Sequence, residues 1–101
     1  MGAYHTSELQ YLFPLFRGGQ GTAHPLNDVQ KRLSDQLVDY WATFARYGDP
    51  NRDSAKELSA WPRYEAEKDN ILVLNSPAVK TTDGYGKAND CVLWDSVLAF
   101  K

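Results

Sequence analysis

Cysteine and histidine, which bind most protein-held transition metals, are scarce in this chain of 101 residues: it has one cysteine and two histidines. The single Cys91 has no partner for an internal disulfide, so the cysteine count leaves the redox compartment open. His5, His24 and Cys91 show no CxxC or HxxxH spacing, and we therefore expect no metal site and no cofactor. Cys91 is expected to be a buried structural thiol rather than a nucleophile, because no histidine is near it in sequence.

An excess of charge of one sign and long apolar runs are lacking too. The chain has 11 basic and 13 acidic residues, a formal net charge of −2, and no basic stripe. This pattern argues against binding to nucleic acid or to an anionic membrane surface. The apolar runs are far shorter than the about 20 residues that cross a bilayer. The N-terminal segment has no basic region followed by an apolar core, so we expect no signal peptide there, and the localisation stays open.

The composition that is present, 43% hydrophobic and 24% charged, is that of an ordinary globular protein and predicts a single domain over residues 1–101. The glycine-rich segment Arg17–Thr22 lacks the Lys-Ser/Thr pair and the preceding strand of a phosphate loop. We expect a flexible loop there, followed by His24 as a solvated loop residue.

The longest regular pattern predicts a helix from Asn27 to Tyr47, of about six turns. Apolar residues recur at steps of three and four and share one helix face. They are Leu26, Val29, Leu33, Leu37, Trp41, Phe44 and Ala45, widened by Val38, Tyr40 and Tyr47. Asn27 and Gln30 predict a capping box at the start, and Gly48 predicts a left-handed stop.

A short helix is predicted before this central helix. Thr6 or Ser7 should cap it, and Pro14 should end it. Leu9, Leu12 and Phe13 are expected to line one side.

Two short strands and a last helix are predicted after the central helix. The strands are Ile71–Leu74 and Ala78–Thr82, followed by a turn at Asp83-Gly84 and a further break at Gly86. Asn89 or Asp90 should cap the last helix, Val92–Leu98, which is expected to pack near the central one.

The fold class is therefore α+β and mainly α, with a long central helix, a C-terminal helix and a small two-stranded β element. The residues expected in its core are Leu37, Trp41, Phe44, Trp61, Leu72, Leu74 and Trp94.

Four short motifs follow one another along the chain: GAYHTSEL at 2–9, WATFARYGDPN at 41–51, WPRY at 61–64 and CVLWD at 91–95. In this order they resemble the C-terminal part of type B carboxylesterases, the family that includes cholinesterases and para-nitrobenzyl esterase-like enzymes. The resemblance implies that the chain is a C-terminal segment of an α/β-hydrolase with a Ser–acid–His triad.

Within that resemblance, His5 corresponds to the catalytic histidine, which takes the proton from the serine hydroxyl and passes it to the leaving alcohol. The triad of α/β-hydrolases follows the chain order Ser, acid, His, so a chain with only the histidine corresponds to the C-terminal end. Glu8 is expected to cap the short helix or to support His5 by contact, and not to be the triad acid, which lies earlier in the family's chain.

The sequence departs from a complete esterase in three respects. It has no Gly-x-Ser-x-Gly elbow around any of its six serines, it has no oxyanion-hole glycine segment, and it lacks the family's central sheet. One oxyanion donor alone is typically worth about 10²–10³ in rate. We therefore expect the chain to be inactive alone and to need the missing N-terminal portion of the esterase as its partner.

Two alternatives remain at this point. The chain could be a non-catalytic folded module that self-associates through bare apolar surface into a homo-oligomer. It could instead be a small independent serine hydrolase that uses one of its serines with His5.

Overall fold

Four helices and one small sheet make up the described part of the protein. The computed structural model describes residues 4–13, 25–52 and 58–99. Their elements are α1 (Leu9–Leu12), α2 (Asp28–Tyr47), β1 (Ile71–Val73), β2 (Lys80–Thr82), α3 (Tyr85–Ala88) and α4 (Cys91–Leu98). This order confirms the predicted class, mainly helical with a two-stranded sheet. The loop predicted over Arg17–Thr22 and the loop residue His24 lie outside the described residues.

Helix α2 has the ends that its sequence predicts. The Asn27 side chain accepts a hydrogen bond from the Gln30 backbone N–H at 2.9 Å, and the Gln30 side chain accepts one from the Asn27 N–H at 2.9 Å. At the other end, Gly48 has φ 73° and its N–H donates to the Phe44 carbonyl at 2.7 Å. The capping box and the left-handed stop are both confirmed.

The core lies on one side of α2. Leu33, Leu37 and Tyr40 are buried there, together with Val79 from the segment before β2. The partly buried side chains that pack against them are Tyr11, Leu12, Leu58, Trp61, Leu72 and Leu74. The prediction is therefore confirmed for Leu37, and three other predicted residues reach the edge of this core.

Three residues predicted for the core are exposed, so the prediction was wrong for them. The exposed fractions are 43% for Trp41, 58% for Phe44 and 59% for Trp94. Helix α1 and the hairpin cover only the Leu33–Tyr40 side of α2, and the described residues leave its other edge bare. Trp94 is exposed because α4 makes its main contacts with α3 instead of packing on α2 as expected.

The short helix α1 begins later than predicted. Thr6 and Ser7 do not cap it; they lie in a turn, and Thr6 has φ 71°, which is incompatible with an α-helix. Glu8 takes the N-cap position, but its side chain makes no capping hydrogen bond. Phe13, which precedes Pro14, has the extended backbone expected there, but its ring is 60% exposed and not part of an apolar side.

The two strands pair antiparallel and are slightly shorter than predicted. Ile71 lies opposite Thr82, Leu72 opposite Thr81, and Val73 opposite Lys80. The turn after β2 is confirmed, with Gly84 at φ 71°. Among the described residues, no helix is both long and apolar enough to cross a membrane.

The residues between β2 and α4 differ from the prediction. Gly86 does not break the chain but lies within α3, where its N–H donates to the Asp69 carboxylate. A Cβ at Gly86 would lie 3.0 Å from that carboxylate oxygen, so close approach explains the glycine. Asn89 does not cap α4 either, because its side chain donates to the Tyr85 carbonyl at 2.8 Å and closes α3. Asp90 occupies the N-cap position of α4 without a side-chain cap.

Candidate functional site

His5 lies in a reverse turn just before α1. The Ser7 N–H donates to the Tyr4 carbonyl at 3.0 Å, which closes a four-residue turn with His5 and Thr6 at its corners. The His5 side chain is exposed. Its imidazole is therefore accessible to a hydroxyl group supplied from outside the described residues.

The turn is attached to the core through α1. The Leu9 N–H donates to the Thr6 carbonyl at 3.2 Å, which joins the turn directly to the helix. On the next turn of the chain, Tyr11 and Leu12 pack against the core. The Ser34 hydroxyl of α2 donates to the Tyr11 carbonyl and ties the two helices together. The turn that carries His5 is therefore attached through α1 to α2, the longest helix.

The described residues do not form a catalytic triad around His5. Glu8 is exposed, and within the described residues neither its carboxylate nor a serine hydroxyl is hydrogen-bonded to the His5 imidazole. The support expected from Glu8 stays a prediction. Cys91 is a half-buried thiol at the first position of α4. No group of three acidic, histidine or cysteine side chains in the described ranges is placed to hold a metal ion.

The second and third sequence motifs meet in space. The Asn51 side chain accepts a hydrogen bond from the Trp61 N–H at 2.6 Å and donates to the Trp61 carbonyl at 2.9 Å. Asp49 accepts from the Asn51 N–H at 2.9 Å and from its side-chain amide at 3.1 Å, which fixes the orientation of that amide. The Gly-Asp-Pro-Asn segment therefore clamps the Trp-Pro segment to the end of α2.

An aromatic cleft of about 880 Å³ opens where these motifs meet. Trp61 contacts Tyr40 edge-on, with ring centroids 5.3 Å apart, and Trp41 at 5.8 Å. Phe44 and Arg63 complete its walls. Sequence periodicity missed this cleft because it assigned both Trp41 and Phe44 to the core. The signal available was that two separate motifs, at 41–51 and 61–64, each contain both tryptophan and proline.

A smaller polar cluster joins the third motif to the helices after the hairpin. The Tyr64 hydroxyl donates to the Asp69 carboxylate at 3.1 Å. This hydrogen bond to Asp69 raises the pKa of the Tyr64 phenol. The other oxygen of Asp69 accepts from the Gly86 N–H, so one carboxylate ties the Tyr64 segment to α3.

Comparison with known proteins assigns this chain to a family. The model of the Carboxylesterase family matches residues 1–94. The chain belongs to this family, and the resemblance inferred from the four motifs is confirmed.

Individual relatives agree with the family assignment. Acetylcholinesterase of Bungarus fasciatus is 34% identical over 104 residues, which cover 97% of this chain and 15% of the relative. Bile salt-activated lipase of Bos taurus is 38% identical over 77 residues, covering 74% of this chain and 12% of the relative. Acetylcholinesterase 1 of Caenorhabditis elegans is 30% identical over 111 residues, covering 97% of this chain and 16% of the relative. The chain therefore spans only a small part of the length of these relatives.

Proposed function

We propose that this chain is the C-terminal part of a carboxylic ester hydrolase with the α/β-hydrolase fold, and that His5 is its triad histidine. Membership of the carboxylesterase family supports the reaction class. The observation that carries the proposal is the exposed His5 side chain, presented at a turn that α1 attaches to the core. A general base needs this combination of access and a fixed attachment.

In the complete enzyme, the His5 imidazole would take the proton from the serine hydroxyl as that oxygen attacks the ester carbonyl. The same ring would then donate the proton to the alcohol oxygen as the ester bond breaks. Water would then attack the carbonyl of the acyl–serine ester and give its proton to the imidazole, which would return that proton to the serine oxygen as the acid is released. The chain itself supplies only the proton carrier, since its sequence lacks the serine elbow and the oxyanion-hole segment. The proposal therefore includes inactivity of the chain alone.

The partner in this proposal is the N-terminal portion of the esterase. Two apolar surfaces of the described residues support it. One is the aromatic cleft, where Trp41 and Phe44 are exposed. The other is α4, whose Val92 is 80% exposed and whose Leu98 is 69% exposed. Six of the eight residues of α4 are apolar, all but Asp95 and Ser96, and a helix with so wide an apolar surface is normally buried.

Complementation tests the proposal. The purified chain is mixed with an N-terminal carboxylesterase fragment that carries the serine elbow and the triad acid, and hydrolysis of a nitrophenyl ester is followed. We expect activity only in the mixture. His5→Ala should lower the rate by about 10⁴-fold or more, because a triad without its base retains only binding and oxyanion stabilisation. His24→Ala, which removes the other histidine, is the matched control and should keep the wild-type rate.

Activity of the mixture that survives His5→Ala would refute the assignment of His5. Activity of the purified chain alone that disappears with His5→Ala would instead support the independent small hydrolase. The described residues do not favour that alternative, because none of their serines is hydrogen-bonded to His5.

A second candidate function, a self-associating module, is favoured by the same two apolar surfaces. In the absence of the N-terminal portion, they would be covered most readily by a second copy of the chain. We expect a homo-oligomer in isolation, which light scattering at high concentration measures.

A further inference from the structure

Thr6, the residue directly after His5, has a backbone conformation that a β-branched side chain rarely adopts. Its φ is 71°, in the left-handed region. In that region the Cβ atom of an L-residue crowds the following carbonyl oxygen, so glycine is favoured and a threonine is an outlier. The strain is local, since Thr6 lies in an exposed turn outside the core.

The strained residue belongs to a defined turn. The hydrogen bond from the Ser7 N–H to the Tyr4 carbonyl, 3.0 Å long, makes His5 and Thr6 the two central residues. A negative φ at the first central residue and a positive φ at the second is the pattern of a type II turn. The Tyr4 N–H also lies 3.4 Å from the Ser7 hydroxyl oxygen, a weaker second link between the two ends.

The turn connects His5 to the rigid part of the molecule in one step. The Thr6 carbonyl accepts from the Leu9 N–H of α1 at 3.2 Å, and α1 packs against the core through Tyr11 and Leu12. No hydrogen bond to the imidazole is present among the described residues. The position of the His5 side chain relative to α1 and α2 therefore depends on the backbone angles of Thr6.

We propose that Thr6 is a positioning residue, whose left-handed backbone aims the His5 imidazole at the serine of the complete esterase. This inference rests on the proposed role of His5 and adds a residue that acts through it. Strained backbone persists where the surrounding structure holds it, and such strain is concentrated at functional sites. Here the hydrogen bonds on both sides of Thr6 hold it.

Substitutions of Thr6 that differ in the allowed φ test the proposal in the complemented enzyme. Thr6→Pro cannot adopt a positive φ, whereas Thr6→Gly and Thr6→Asn can. We expect Thr6→Pro to lower kcat by roughly 10²-fold, the effect of misplacing a catalytic group by about 1 Å. KM should change much less than kcat, because His5 is proposed to move a proton and not to bind the ester. The thermal midpoint of the chain should fall in Thr6→Pro but not in Thr6→Gly, because proline is incompatible with a positive φ. Thr6→Gly and Thr6→Asn should keep the wild-type kcat.

The outcomes separate this inference from the proposed function. Wild-type kcat in Thr6→Pro, with His5→Ala inactive, would overturn the role of Thr6 and leave that of His5. An equal loss in Thr6→Gly and Thr6→Pro would also overturn it, since the side chain and not the backbone would then matter. Activity that survives His5→Ala would refute the proposed function itself.

The chain alone provides a test that needs no activity. The nuclear Overhauser effect between the amide and α protons of Thr6 reports the sign of its φ, because these two protons are closest at a positive φ. Ring relaxation of His5 reports how firmly the imidazole is held. A positive φ with a ring that becomes mobile in Thr6→Pro but not in Thr6→Gly supports the proposal. A negative φ at Thr6, or equal ring mobility in all three chains, would overturn it.

Discussion

Tyr40 is a fully buried aromatic side chain whose hydroxyl also makes a hydrogen bond. It is 1% exposed, its ring meets Trp61 edge-on, and its hydroxyl donates to the Ser59 carbonyl at 2.5 Å. Aromatic residues with a polar tip usually find such a partner when they are buried. Tyr40 therefore links α2 both to the Trp-Pro segment and to the residues that precede it.

Burial raises the pKa of the Tyr40 phenol above its ordinary 10.0. Above that pH the unfolded chain loses the phenolic proton while the folded chain keeps it, so folding stability is complete below about pH 10 and falls as the pH rises further. We expect the urea midpoint to drop between pH 9 and pH 11 (about 1.4 kcal/mol per pH unit is the most one group can contribute). Tyr40→Phe should reduce this slope and, at neutral pH, cost about 1 kcal/mol for the lost hydrogen bond.

Tyr85→Phe is the matched control, because it removes the hydroxyl of an exposed tyrosine outside the core. A smaller slope is expected to remain in Tyr40→Phe, since Asp69 raises the pKa of Tyr64 in the same direction. Equal slopes for the wild type and Tyr40→Phe would contradict the assignment to Tyr40.

Helix α2 is the element on which the candidate site depends. It carries three of the four buried apolar residues in the described part of the chain, binds α1 through Ser34 and ends in the segment that clamps Trp61. A substitution that shifts either end of α2 should therefore also shift the segments that pack against it. The His5 turn and the aromatic cleft are then both set by where α2 begins and ends.

Removing the cap of α2 should destabilise the whole chain. Asn27→Ala deletes the acceptor for the Gln30 N–H, and losses of this kind cost about 0.5–2 kcal/mol. For a chain of this length, a loss of 1 kcal/mol lowers the thermal midpoint by about 4–8 °C. Circular dichroism at the helix band measures the midpoint. Asn27→Ser, which keeps a capping oxygen, should stay within about 0.5 kcal/mol of the wild type, and a loss as large as that of alanine would exclude capping as the cause.

At the scale of the whole molecule, the chain is more open than a closed domain of its length. Its radius of gyration is 16.1 Å, compared with about 13 Å for a compact domain of 100 residues. The apolar side chains that stay exposed on one edge of α2 and on α4 agree with this larger radius. Surfaces of this kind mark places where a partner binds.

We therefore predict a dimer or larger oligomer for the isolated chain, measured by light scattering at high concentration. Val92→Lys with Leu98→Lys should shift it towards the monomer, because both side chains are exposed and the charges oppose burial of α4. Thr81→Lys, an exposed position on β2, is the charge control. Addition of the N-terminal portion should replace the oligomer by a one-to-one complex. A monodisperse monomer of the wild type would contradict self-association.

The sequence predicted some parts of the fold and not others for identifiable reasons. The ends of α2 were predictable because Asn27, Gln30 and Gly48 satisfy backbone groups within a few residues of themselves. The start of α1 was not, because Thr6 adopts a left-handed backbone. Asp90 takes the N-cap position of α4 without the side-chain cap that was predicted, and Asn89 bonds to α3 instead. Of the site, His5 was identified by motif order alone, while the strained turn beside it has no signature in the residue types.

Local sequence determined which family the chain belongs to, where its central helix begins and ends, and which residue could carry a proton. These properties depend on neighbours within one or two helical turns, and residue order encodes such neighbours directly. Tertiary structure alone decided that Tyr40 and not Trp41 is buried, and that the Asp-Pro-Asn and Trp-Pro segments form one cleft. A helix with apolar residues around much of its surface can bury only the side that other elements cover, and that choice depends on contacts between residues far apart in the chain.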